Sequence, residues 1–131
     1  MRRRTTHLLI LIVITTMAAY ARSGSDTAQT GSALTHAPAK VRAVANPFGN
    51  SESARAAGQK LFARYCSECH GETAVGTPQG PPLREVSKAV TAGTLQWFIK
   101  NGNLRAGMPS WSRLPDQQRW QLVTYLQALS D

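Results

Sequence analysis

The sequence predicts an all-α domain, on three observations. Three stretches carry apolar residues at helical spacing, a segment rich in glycine and proline separates the first two, and nothing alternates with period two for long enough to form a sheet. In the first stretch, Ala54, Ala57, Gly58, Leu61, Phe62 and Tyr65 share one face, opposite Glu52, Arg55, Gln59, Lys60 and Arg64. Ser51 or Ser53 is available as its N-cap, and the helix runs into Cys66. Residues 71–82 hold three glycines and three prolines and are expected to be loop. A shorter helix is expected from about Thr94 to Asn101, with Leu95, Trp97, Phe98 and Ile99 apolar and Gly102 placed to close it. The last begins at Pro115-Asp116 and carries Trp120, Leu122, Val123, Tyr125, Leu126 and Leu129 as a broad apolar stripe among glutamines.

These elements occupy only part of the 131 residues. Residues 1–21 begin with Arg2, Arg3 and Arg4, continue through an apolar run from Leu8 to Ile14 and end on Ala19-Tyr20-Ala21, the architecture of a secretory signal peptide cleaved after Ala21. The uncharged stretch from Thr5 to Ala21 is 17 residues long with four threonines and a histidine, short of the ~20 apolar residues of a membrane span. An anchor left by an uncleaved segment is the alternative. Residues 22–46 are mostly Ser, Gly, Thr, Ala and Pro, with Leu34, Val41 and Val44 the sizeable apolar side chains, and are expected to form a disordered linker in which His36 is solvated. Eight of the nine aromatic residues lie in residues 47–131, which therefore form the folded unit. Its 85 residues are near the size at which an apolar core alone gives marginal stability.

The formal charge of +8 first points to nucleic acid or an anionic membrane. Its distribution argues otherwise. Three positive charges belong to the leader and a net two to the linker, while residues 47–131 carry nine basic against six acidic residues with no dense run. A solvated surface is the expected role of these nine, and no nucleic-acid partner is expected.

The chemistry is concentrated at Cys66-Ser67-Glu68-Cys69-His70. Cysteines three apart on a helical turn lie one above the other, where both thiols can reach the two vinyl groups of a porphyrin, and the adjacent imidazole can be directed at its iron. Three other readings compete. A zinc site needs further ligands, and downstream of the leader only His36 and His70 remain as histidines, with no other cysteine. A thioredoxin-like pair follows a strand and opens a helix, whereas here a helix precedes the pair. A structural disulfide has no use for His70.

On the other side of the iron, Met108 is the one methionine beyond the leader. An isolated methionine is ordinarily a flexible core filler. Here it stands in Gly107-Met108-Pro109, where glycine permits close backbone approach and proline stiffens the segment behind it. A thioether is soft and neutral, favours ferrous iron and raises the reduction potential relative to harder ligands.

Together these residues resemble the small soluble monohaem class I cytochromes c, in their short bacterial form, over about residues 50–130. Gly58 and Phe62 are similar to the glycine and aromatic with which that family packs its N-terminal helix on its C-terminal one, and Leu122 and Tyr125 to the receiving residues. Gly80-Pro81-Pro82-Leu83 resembles the segment passing beneath the haem, which implies that the Pro81 carbonyl accepts the His70 N–H, a bond that orients the ring and increases its basicity. Gly107-Met108-Pro109 with Trp111 resembles the methionine-ligand loop. The separation of 38 residues between His70 and Met108 is shorter than in mitochondrial forms, so propionate contacts are not carried over, and Trp97, Trp111 or Arg105 could serve.

The resemblance implies a cytochrome c fold of three to four helices around one covalent haem c, with Cys66, Cys69, His70, Met108 and Pro81 at the cofactor and His70 and Met108 on the iron. An iron closed on both sides has no open position, which implies a periplasmic one-electron carrier rather than an enzyme. The partners expected are redox proteins, such as a periplasmic dehydrogenase and a membrane oxidase or reductase, and the carrier is expected to be a monomer. The alternative is a five-coordinate haem enzyme or gas sensor, peroxidase-like, should Met108 not bind. A domain this small built around a cofactor is expected to unfold without it. Substituting Cys66 or Cys69 should abolish cooperative thermal unfolding together with haem staining on a denaturing gel; a variant that stays cooperatively folded without haem would refute the dependence.

Overall fold

A computed structural model describes residues 36–129. The expected signal peptide, residues 1–21, and residues 22–35 of the expected linker lie outside the described residues. Among the described residues six α-helices occur in order: α1 (Ala39–Arg42), α2 (Glu52–Tyr65), α3 (Ser67–His70), α4 (Arg84–Ala89), α5 (Ala92–Asn101) and α6 (Asp116–Ala128), with a 3-10 turn at Leu104–Ala106. There is no strand among the described residues, only two isolated bridges, Thr77 with Gly80 and Asn103 with Met108. The fold is all-α. Three helices match the three expected stretches; α1, α3 and α4 are turns of four to six residues, which raises the count above three to four.

Local chemistry sets the long helices' ends. The Ser51 hydroxyl accepts from the Ala54 amide at 3.2 Å, and Glu52 places a negative charge in the first turn of α2. Thr91 does the same for α5 through the Thr94 amide at 3.3 Å, so that helix begins two residues earlier than its apolar pattern suggests. Gly102 closes α5 with φ +69°, its amide bonded to the Phe98 carbonyl at 2.7 Å.

The core lies where α2 crosses α6. Phe62, Leu122 and Val123 are fully buried there, and the Phe62 and Tyr125 rings sit 5.4 Å apart at a tilt of 51°. Gly58 makes the crossing this close: a Cβ built on it would stand 2.0 Å from the Gln121 carbonyl oxygen and 2.8 Å from Tyr125 Cβ. Against α6 packs α5, through Leu95 and Ile99. No helix among the described residues is long and apolar enough to cross a membrane.

Two expectations need correction. Residues 36–46 are packed structure, not disordered linker: Ala37 is buried, α1 rests on α5, and Asn46 Nδ2 donates to Thr124 Oγ1 on α6 at 2.9 Å. The contact is made by backbone, because the Val41 and Val44 carbonyls lie against Gly93, where a Cβ would come within 1.9 Å of the former and 3.0 Å of the latter. A count of apolar side chains is blind to such a contact. His36 is exposed, as expected. Of the nine basic residues expected on the solvated surface, Arg119 is instead buried at 5% exposure.

Gly58→Ala should drive α2 off α6. The expected loss is about 2–3 kcal/mol, a fall of roughly 10–20 °C in the Tm of the haem-loaded protein by calorimetry.

Candidate cofactor site

The cysteine motif grows out of the end of α2. Cys66 closes that helix with its amide on the Phe62 carbonyl at 2.9 Å, and its own carbonyl then accepts from the Cys69 and His70 amides at 3.2 and 2.9 Å. One further helical turn, α3, results, so Cys66 and Cys69 lie along one side of it. Both are free thiols, Cys66 half-buried and Cys69 exposed. Burial, and after it the neighbouring Cys69 thiolate, push the Cys66 thiol up to about 12. The surroundings of Cys66 thus do not activate it as a thiolate.

Beneath this turn the 71–82 loop folds back on itself. Thr77 Oγ1 donates to the Cys69 carbonyl at 2.6 Å, and the Thr77 and Gly80 backbones pair at 2.9 and 3.2 Å. Gly80 passes so close that a Cβ would meet the Cys69 oxygen at 2.7 Å and His70 Nδ1 at 3.1 Å. The next residue, Pro81, then presents its carbonyl to His70, whose Nδ1–H donates to it at 2.9 Å. With the proton held on Nδ1, the Nε2 lone pair is free for a metal. Ala74 adopts φ +59° with its side chain fully buried, held by its amide on the Gly71 carbonyl and its carbonyl under the Leu83 amide.

Met108 is half-buried in a separate loop between α5 and α6. It pairs with Asn103 through both backbone bonds, at 2.9 and 3.0 Å, across a turn in which Gly107 is left-handed at φ +82°. The loop reaches the cysteine motif through Trp111, whose ring lies 5.2 Å from that of Tyr65, the residue before Cys66. Among the other aromatic and basic residues considered, Trp97 is half-buried on α5 and Arg105 is exposed on the 3-10 turn.

Thr77 and the Tyr65–Trp111 contact escaped the sequence reading. The first had a local signal, since Thr77 Oγ1 also accepts from the Gln79 amide at 3.1 Å in a hydroxyl-closed turn. The second joins residues 46 apart and had none.

The donor set fits a porphyrin better than a bare ion. Among the described residues, no three His, Cys, Asp or Glu side chains gather closely enough to hold a metal ion. Two thiols spaced along one helical turn, an imidazole with a free Nε2 and a thioether on a separate loop are the kinds of group that attach haem and ligate its iron.

Comparison with known proteins agrees. The profile of the family described as "Cytochrome C oxidase, cbb3-type, subunit III" matches residues 53–126. Quinohemoprotein alcohol dehydrogenase ADH IIB of Pseudomonas putida is 37% identical over 76 residues, 57% of this chain and 11% of the dehydrogenase, so the chain spans about a tenth of that relative's length. The structure of cytochrome CL from the marine methylotrophic bacterium Methylophaga aminisulfidivorans is similar at a TM-score of 0.57 and 26% identity, covering 64% of this chain and 58% of that one.

Gly80→Ala should displace the Cys69 carbonyl or the His70 ring. The expected outcome is a several-fold lower yield of haem-loaded protein, measured as haem absorbance per polypeptide, with Lys60→Ala, at an exposed position on α2, as the surface control.

Proposed function

Because the chain belongs to the cytochrome c family whose profile is described as cbb3-type oxidase subunit III, and so carries covalent haem c, we propose that it is a periplasmic one-electron carrier with Cys66 and Cys69 as thioether anchors and His70 and Met108 as axial ligands. The observation that carries this reading is the bond from His70 Nδ1 to the Pro81 carbonyl, made directly beside the paired cysteines.

When bound, haem supplies reversible one-electron chemistry at its iron. The chain's residues decide how that chemistry is used. Pro81 holds the imidazole at one orientation and increases its basicity as a ligand. Met108 offers a soft neutral sulfur, which favours the ferrous state. With His70 and Met108 holding the iron, neither substrate nor oxygen would have a position to enter, which would leave one-electron exchange with protein partners as the chain's reaction and catalysis to those partners.

The leader at residues 1–21 supports export, and the ADH IIB similarity supports a dehydrogenase as electron donor; the acceptor in this reading is a membrane oxidase or reductase. Such docking is small and transient, steered by complementary charge, and suits a monomer.

Carbon monoxide tests the axial assignment. The ferrous wild-type protein should not bind it rapidly, Met108→Ala should bind within the mixing time, and the variant's reduction potential should fall. Rapid tight binding by the wild type would overturn the six-coordinate reading.

A further inference from the structure

Arg119 stands in the first turn of α6, and its burial needs a reason. Its side chain is 6% exposed, while its ion-pair partner Asp116, at 2.9 Å, is 65% exposed. A pair with one member in water contributes little, and burying a guanidinium costs free energy that this pair does not return. Its Nε has no hydrogen-bond partner among the described residues, which adds to the cost.

The return lies elsewhere. Nη1 donates to the Ser112 carbonyl at 3.2 Å and to the Leu114 carbonyl, the residues that connect the methionine loop to α6. Asp116 is itself held by Gln96 Nε2 from α5 at 2.7 Å and Trp120 Nε1 from α6 at 3.0 Å, so one carboxylate ties both helices to the guanidinium. The same segment is fastened to the end of α5 by Ser110 Oγ on the Lys100 carbonyl at 2.7 Å and the Trp111 amide on the Ile99 carbonyl at 3.1 Å. Residues 109–114 are thus fixed from α5 on one side and from α6 on the other, and Met108 immediately precedes them.

We propose that Arg119 is a positioning residue for Met108, acting through the Ser112 and Leu114 carbonyls to keep the loop closed and the thioether within reach of the iron. This rests on Met108 being an axial ligand. A neutral sulfur binds weakly, so its hold on the iron is set by the fraction of time the loop spends closed. Removing the guanidinium raises the open fraction and admits competing ligands.

The test uses the full-length haem-loaded ferric protein titrated with imidazole, alongside its near-red thioether-to-iron charge-transfer band and its Tm. Arg119→Met should bind imidazole roughly tenfold more tightly and lose the band at a lower temperature than it unfolds, with partial recovery in Arg119→Lys. Asp116→Asn, which removes the charge and keeps one carboxamide oxygen for the Gln96 and Arg119 donors while the Trp120 N–H loses its acceptor, should shift in the same direction by a few-fold and carries the test if Arg119→Met does not fold. Unchanged imidazole affinity in these variants with only a lowered Tm would overturn the proposal. Met108→Ala separates it from its premise: a variant with wild-type band and imidazole affinity would show that Met108 is no ligand, which overturns both.

Discussion

The close approach of two backbones at Gly58 is the constraint from which the site hangs. With no side chain there, α2 lies against the Gln121 carbonyl of α6, and the ends of both helices are placed by that one crossing. Four residues after Phe62 locks the crossing comes Cys66. From the first turn of α6 comes Arg119, bound to the segment just past Met108. His70 and Met108, separated by 38 residues of chain, are therefore registered against each other by a contact that neither of them makes.

Around that crossing, the local structure at the cysteine motif is unusually dependent on carbonyl groups. The Cys66 carbonyl organises the turn, the Cys69 carbonyl takes the Thr77 hydroxyl, and the Pro81 carbonyl orients the imidazole. Carbonyl positions track the backbone, so side-chain identity matters here mainly through what each residue lets the backbone do. Gly80 matters because it has no side chain.

That dependence explains how much of the protein could be read from its residues alone. The three long helices were legible because apolar periodicity and capping residues are local signals, and so was the cysteine motif, whose spacing is its geometry. Met108 was reached by elimination and Pro81 through resemblance, and of these the structure places the Pro81 carbonyl against His70. The packing of residues 36–46 was not legible, since carbonyls against Gly93 leave no mark in hydropathy. Nor was the burial of Arg119, because a charged side chain on a helix reads as solvated until its carbonyl partners are known. The Tyr65–Trp111 contact is long-range and carries no pattern. Short turns such as α4 depend on tertiary neighbours and flanking backbone, here the Leu83 carbonyl accepting the Ser87 amide and Arg84 Nε reaching back to the Thr73 carbonyl.

The hydrogen bond between His70 and Pro81 also bears on speed. An electron transfer is slowed by every nuclear coordinate that must move when charge changes, and an imidazole tied at 2.9 Å to a proline carbonyl has little room to rotate or shift. The carbonyl dipole is already aimed at the ring before charge arrives, so it need not be reoriented when it does. A restraint of that kind reduces the share of the reorganisation energy that turning the ring would contribute.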